Sequence, residues 1–262
     1  MKQRIITALV AGILFLSVVI YGGMPFTMTV YLLASIALYE LLRMKRISIL
    51  SSPGVSSMIF LWLLLINDQV LYARPYVTLT KIEMALVVIM VLLSITVLSK
   101  NRYTFDDVGF VILSVVYIGV GFYYFIETRQ AGLDYIFYAL FVIWATDTGA
   151  YFVGRSMGKR KLWPLISPKK TIEGSVGGIV FALLTAVIFQ LVHPLHSSML
   201  VVILITILIS VTGQIGDLVE SAFKRHYVVK DSGTILPGHG GILDRFDSLL
   251  FVLPILHFTH FI

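Results

Sequence analysis

Long apolar stretches separated by short polar breaks run the length of the chain, near 5–21, 25–42, 55–72, 82–99, 108–126, 134–154, 174–193, 198–223 and 242–261. A bilayer core about 30 Å thick takes roughly 20 apolar residues per helix. The pattern therefore predicts an all-α fold, a polytopic integral membrane protein with about nine transmembrane helices. Gly22-Gly23 marks the first break and would make the first two spans a helical hairpin; Arg43 to Pro53 marks the next. Met1 to Arg4 ahead of Ile5 has the outline of a signal peptide. No small-x-small cleavage site follows, and a second apolar stretch begins at once, so the segment reads as a retained first span.

Composition supports a membrane protein: 58% of the 262 residues are hydrophobic and 13% charged, with a mean hydropathy of +0.94. A water-soluble core could not enclose that much apolar surface. The chain has no cysteine, which excludes a disulfide framework, thiolate metal sites and a cysteine nucleophile. Asp, Glu, His, Ser and Lys are left to carry chemistry.

Charge orients the spans. With the N-terminus inside, Lys2, Arg4, Arg43, Lys45, Arg46, Lys100, Arg102, the cluster from Arg155 to Lys170, and Lys224, Arg225 and Lys230 all fall on the inner side. Arg74, Lys81 and Arg129 fall outside. By the positive-inside rule the N-terminus is cytoplasmic and the C-terminus outside. That needs an odd number of crossings, which nine satisfies and seven would also satisfy. The protein is expected as a multi-pass protein of the cell's inner (cytoplasmic) membrane with its site facing the cytoplasm. A nucleic-acid partner is not implied by the pI near 9.4, because the basic residues cluster in membrane-facing loops.

Polar residues divide the chain into a scaffold of N-terminal helices, 1–130, and C-terminal helices, 131–262, that carry the chemistry. In the first part Glu40 reads as an interfacial acid near Arg43, and Arg43 to Arg46 as a topology signal. In the second, Asp147 lies deep in an apolar helix, where a charge costs about 2.5–3.5 kcal/mol. Ala150, Gly154 and Gly158 share its stripe and leave room beside it. Gln214, Asp217, Ser221 and Lys224 recur at spacings of three and four on one helix face. That stripe suits a metal with a phosphate beside it; a buried structural Asp–Lys pair is the competing reading. Lys169 and Lys170 lie in a basic loop in which Ser167 or Thr171 could cap the next helix.

Asp244 and Asp247, three apart at the start of the last span, point into one polar pocket and call for a cation. Oxygen-only ligands favour Mg²⁺, and Mg²⁺ joined to carboxylates points to phosphoryl or nucleotidyl transfer. His239, between glycines, caps a turn or contacts phosphate. His193, His196, His257 and His260 lie at or near outer helix ends and carry no expected role.

Ser221, Phe223, Lys224 and Arg225, then Lys230, Asp231 and Gly233, then Pro237, His239, Gly240, Gly241, Ile242, Asp244, Arg245, Phe246 and Asp247 closely resemble the signature of the phosphatidate cytidylyltransferase family, also called CDP-diacylglycerol synthase. The segments Asp147 to Tyr151, Gly158-Lys159 and Ser167 to Gly174 resemble the upstream region of the same family. The resemblance implies transfer of a cytidylyl group from CTP to phosphatidate, a divalent cation and a homodimer. The site residues then divide by role. Asp217, Asp244 and Asp247 would hold Mg²⁺, with Asp147 supporting a second cation or shaping the pocket. Lys224 and Arg225 would act on the reacting phosphates. Lys169, Lys170, Ser221, Lys230, His239 and Arg245 would bind substrate. The rival readings are a CTP-dependent kinase or a nucleotidyltransferase acting on another lipid and, in a different class, an ion transporter. A dense polar cluster at one face, without a repeat between the halves, argues against transport.

Overall fold

The computed structural model describes residues 2–67 and 80–262. In order, the helices are α1 (Lys2–Tyr21), α2 (Gly23–Met44), α3 (Ser52–Leu65), α4 (Lys81–Leu98), α5 (Phe105–Ala131), α6 (Leu133–Met157), α7 (Ile172–Val192), α8 (Met199–His226) and α9 (Leu243–Phe258). Two strands, β1 (Lys161–Trp163) and β2 (Ser167–Thr171), lie between α6 and α7. Among the described residues six helices, α2 and α4 to α8, are long and apolar enough to cross a membrane. The third expected span, 55–72, runs past residue 67, so its last part and Arg74 lie outside the described residues.

Local chemistry sets the ends of these helices. Gly22 and Gly23 take φ of 71° and 57°, a left-handed break that glycine accepts without a Cβ penalty, and they separate α1 from α2. Ser51 caps α3, with a proline in its first turn. Thr80 with Glu83 forms a capping box at α4, and Thr104 with Asp107 pairs in the same reciprocal way at α5.

The described chain divides into two compact units, Met1–Glu127 with Ser232–Ile242, and Thr128–Asp231 with Leu243–Ile262. In the first, α5 buries Val108, Val111, Val115, Ile118, Phe122 and Phe125 at helical spacing. Phe125 meets Phe26 of α2 edge to face, with centroids 5.1 Å apart. In the second, α6 crosses α7 over small residues. A Cβ on Gly177 would strike Val153, one on Gly174 would lie 2.8 Å from the Ala150 carbonyl, and one on Gly178 equally near that of Thr146. Such contacts let helix backbones approach where lipid supplies no hydrophobic drive between them. Hydroxyl pairs join α6 to α8, Tyr138 to Thr206 at 2.8 Å and Thr146 to Ser210 at 2.9 Å.

The outward faces are apolar. α4 exposes Ile82, Leu86, Val87, Met90 and Val97, and α7 exposes Val176, Val180, Leu184, Ile188 and Leu191. Water would not tolerate such continuous apolar faces, whereas lipid matches them. The chain is an α-helical membrane protein.

One element departs from the all-α expectation. Residues 161–171, read from sequence as a plain basic loop, form an antiparallel hairpin with Lys161 opposite Thr171 and Trp163 opposite Ser167. Pro168 biases Ser167 toward extended backbone, and Gly158 closes α6 in an extended conformation. The Glu173 carboxylate then accepts the backbone N–H groups of Lys159 at 3.1 Å and Arg160 at 3.2 Å, pulling the hairpin base onto α7. Thr171 caps α7 by accepting from Gly174 N at 3.1 Å, while Ser167 lies within β2.

Candidate active site

The expected stripe on α8 is present in the second unit, and each member is engaged. Gln214 donates through Nε2 to the Ser175 carbonyl at 3.3 Å. Asp217 Oδ2 pairs with Lys170 Nζ at 2.6 Å, and Ser221 Oγ donates to Asp217 Oδ1 at 3.4 Å. Lys224 Nζ donates to Asp244 Oδ1 at 2.7 Å and contacts the Glu220 carboxylate one turn back. α8 thus reaches the hairpin through Asp217 and the first turn of α9 through Lys224. Gly216 makes the second approach possible, since a Cβ there would lie 2.6 Å from the Asp247 carbonyl.

A cavity of about 400 Å³ opens beside this stripe, lined by residues that include Asp147, Arg155, Lys169, Lys170, Ser175 and Asp217. Its floor is shaped by Ala150, Gly154 and Gly174, the small residues of the α6–α7 crossing. Asp147, although central along α6, is exposed toward this space rather than enclosed by protein. Asp147, Asp217 and Asp247 are near enough to repel one another, and the cations opposing them are Lys170 at Asp147 and Lys224 at Asp247. Acids and lysines lining the same space, Asp147 and Asp217 with Lys169 and Lys170, give a cavity suited to a polyanion carried with a cation.

Among the described residues no group of three acidic or histidine side chains is gathered closely enough to hold a metal by itself. The donor chemistry still fits Mg²⁺, which needs only one or two carboxylates and completes its shell with water and substrate phosphates. Lys170 and Lys224 sit on two of the four acids expected to meet a metal, Asp217 and Asp244.

The other expected residues are placed as follows. Arg225 donates through Nε to the Ile166 carbonyl at 3.2 Å, so part of its guanidinium anchors the hairpin turn. Lys169, Lys230 and Arg245 are exposed. His239 belongs to the first unit, in a tight turn where its N–H meets the Leu236 carbonyl at 2.8 Å and Leu236 N meets the Gly240 carbonyl at 3.0 Å. Gly238 and Gly240 supply the φ values of 79° and 86° that this turn requires. Among the histidines with no expected role, His257 shares a hydrogen bond of 3.0 Å with the buried Thr128 hydroxyl.

Two acids were missed in the sequence. Glu220 is 1% exposed and faces Lys224 at the i, i+4 spacing, a local signal that was legible. Glu40, read as interfacial, is also 1% exposed and accepts from Ser232 Oγ and from Ile242 N, both at 2.9 Å. No local pattern could connect partners so distant in sequence.

A model of the cytidylyltransferase family matches residues 2–262. The chain is 58% identical over 261 residues to a phosphatidate cytidylyltransferase of Bacillus subtilis (strain 168), covering 98% of this chain and 97% of the relative. It is 50% identical over 257 residues to the phosphatidate cytidylyltransferase of Staphylococcus epidermidis (strain ATCC 12228 / FDA PCI 1200). It is 47% identical over the same length to that of Staphylococcus aureus (strain COL), and both alignments cover 98% of each chain.

Proposed function

The chain belongs to the cytidylyltransferase family, and from that premise we propose that it transfers the cytidylyl group of CTP to phosphatidate, giving CDP-diacylglycerol and pyrophosphate. The observation that carries this reading is the cavity in which Asp217 pairs with Lys170 beside Asp147, next to the Lys224–Asp244 pair of the signature residues. These are the groups a triphosphate and a lipid phosphate would need together.

In the reaction an oxygen of the phosphatidate phosphate bonds to the α-phosphorus of CTP. The bond from that phosphorus to the bridging oxygen of the β-phosphate breaks, and pyrophosphate leaves with the electron pair. The attacking phosphate is largely ionised near neutral pH, so a strong general base is not required. Lys169 and Lys170 on the hairpin, with Lys224, would hold phosphate oxygens and offset the charge that develops on the leaving group. Arg225 would keep the hairpin, and with it those lysines, against the C-terminal end of α8. Ser221 would orient the Asp217 carboxylate. Lys230 and Arg245 would add phosphate contacts from the connection and the start of α9.

Asp217 and Asp247, with Asp147 beside them, would hold Mg²⁺, and Asp244 would join them where substrate phosphate draws Lys224 away. The cation would supply charge neutralisation to the triphosphate. We further propose nine crossings with the N-terminus and the site on the cytoplasmic side, where CTP is found, and a homodimeric assembly. The basic residues of 155–170 and 224–230 support that orientation.

Pyrophosphate release from CTP tests the reaction. Release that requires phosphatidate supports it; release that proceeds equally without the lipid, or no release from folded protein, contradicts it.

A further inference from the structure

In the first strand of the hairpin Leu162 lines the cavity, while Trp163 at the next position is 54% exposed. The turn that follows leaves Leu165 90% exposed, with Pro164 exposed beside it. The residues around this apolar tip are cationic. Lys159, Arg160, Lys161 and Lys169 are all exposed, and no acidic residue occurs from Arg155 to Ile172. The carboxylate nearest in sequence, that of Glu173, is taken up by the backbone N–H groups of Lys159 and Arg160.

Place in the fold sets what these groups can meet. α6 and α7 are each long and apolar enough to cross a membrane. Only Gly158, Lys159 and Arg160 separate α6 from β1, and β2 runs directly into α7. The hairpin therefore starts and ends at a membrane face. It is also held down there, because the Ile166 carbonyl next to the tip accepts from Arg225 in the last turn of α8. α8 has 28 residues and so is about 42 Å long, the thickness of a bilayer with its headgroups, which puts that last turn at headgroup level. Tryptophan and leucine ringed by lysine and arginine suit the membrane interface, where aromatic rings sit among headgroups and cations meet lipid phosphates. We propose that the hairpin tip, Trp163 to Leu165, is seated in the headgroup layer of the membrane that holds the helices, and that the surrounding cations gather anionic lipid there. Leu162, Lys169 and Lys170 of the same hairpin line the cavity, so a lipid gathered at the tip has its phosphate next to the site. This supply of lipid substrate rests on the reaction proposed above; the seat of the tip does not.

Two measurements on the full-length protein separate the parts. With no cysteine in the chain, Leu165→Cys takes a single environment-sensitive fluorophore, which reads the seat without any activity. In phosphatidylglycerol nanodiscs its emission should shift to the blue of its value in water and be quenched by lipids carrying a nitroxide near the headgroup. In phosphatidylcholine both responses should be weaker, and Lys159→Gln with Lys161→Gln should reduce the difference. Emission as in water would overturn the seat, as would a blue shift that nitroxide lipid does not quench, which would mean that protein, such as a second copy of the chain, covers the tip. Equal responses in the two lipids would overturn the gathering of anionic lipid. Steady-state kinetics in mixed micelles reads the supply. Trp163→Ser with Leu165→Ser should raise the KM for phosphatidate about tenfold, with the KM for CTP and the thermal midpoint unchanged. Trp163→Phe, still apolar and aromatic, should stay near the wild-type value. An unchanged KM for phosphatidate in the double variant would overturn the supply and leave the tip a simple anchor. A wild-type protein that does not convert CTP and phosphatidate would sink the reaction, with the seat still decided by the label.

Discussion

Lys224 Nζ sits 2.7 Å from Asp244 Oδ1 and also contacts the Glu220 carboxylate, so one ammonium from α8 faces two carboxylates. Asp244 and Glu220 are 6% and 1% exposed at their side chains, which removes most of the help that water would give. Removing the cation leaves two buried acids facing each other and should cost about 3–5 kcal/mol. Lys224→Met should therefore lower the thermal midpoint in detergent sharply as well as abolish activity. Glu220→Gln replaces the second buried acid by a neutral side chain of the same shape and should leave the midpoint unchanged or raised. In combination it should recover part of the Lys224→Met loss. A Glu220→Gln variant as unstable as Lys224→Met would contradict this arrangement.

The Lys170–Asp217 pair is more open, with side chains 28% and 33% exposed. Pairs of that kind contribute about 0–1 kcal/mol to stability, so their value lies in binding. Lys170→Ala should leave the thermal midpoint nearly unchanged while raising the KM for CTP about tenfold, equivalent to ~1.4 kcal/mol. A large stability loss without a change in KM would assign the pair to structure instead.

The α6–α7 crossing shapes the cavity, and two glycines give a controlled comparison. A Cβ at Gly177 would strike Val153, whereas at Gly109 in α5 nothing lies within 4 Å. Gly177→Ala should destabilise by about 1–3 kcal/mol through overpacking. Gly109→Ala should stabilise by up to about 1 kcal/mol by lowering backbone entropy in the unfolded chain. Thermal unfolding of the two variants side by side checks both signs.

Activity should be lost on chelation of divalent cations and return with added Mg²⁺. Asp217→Asn should raise the Mg²⁺ concentration needed for half-maximal rate, because the remaining carboxylates hold the ion less well. Full activity in excess chelator would remove the metal from the account.

Much of this was legible in the sequence because it is local. Apolar runs mark the long helices, and spacings of three and four placed Gln214, Asp217, Ser221 and Lys224 on the single face of α8 where the structure has them. The small residues after Asp147 pointed to a space that became the cavity. What escaped depends on contacts between distant segments. The hairpin is too short for strand periodicity, and its ties come from Glu173 and Arg225 on separate helices. Glu40 is indistinguishable from an interfacial acid until Ser232 and Ile242 fold against it.

The central claim is tested most directly by incubating the detergent-purified protein with phosphatidate, Mg²⁺ and CTP radiolabelled at either the α- or the γ-phosphate, then following label into the lipid phase. The account predicts lipid labelled from the α position only, with labelling lost in Asp247→Asn and strongly reduced in Asp217→Asn. Labelling from the γ position would mean a lipid kinase, and no labelling from either position by folded protein would contradict cytidylyl transfer to phosphatidate.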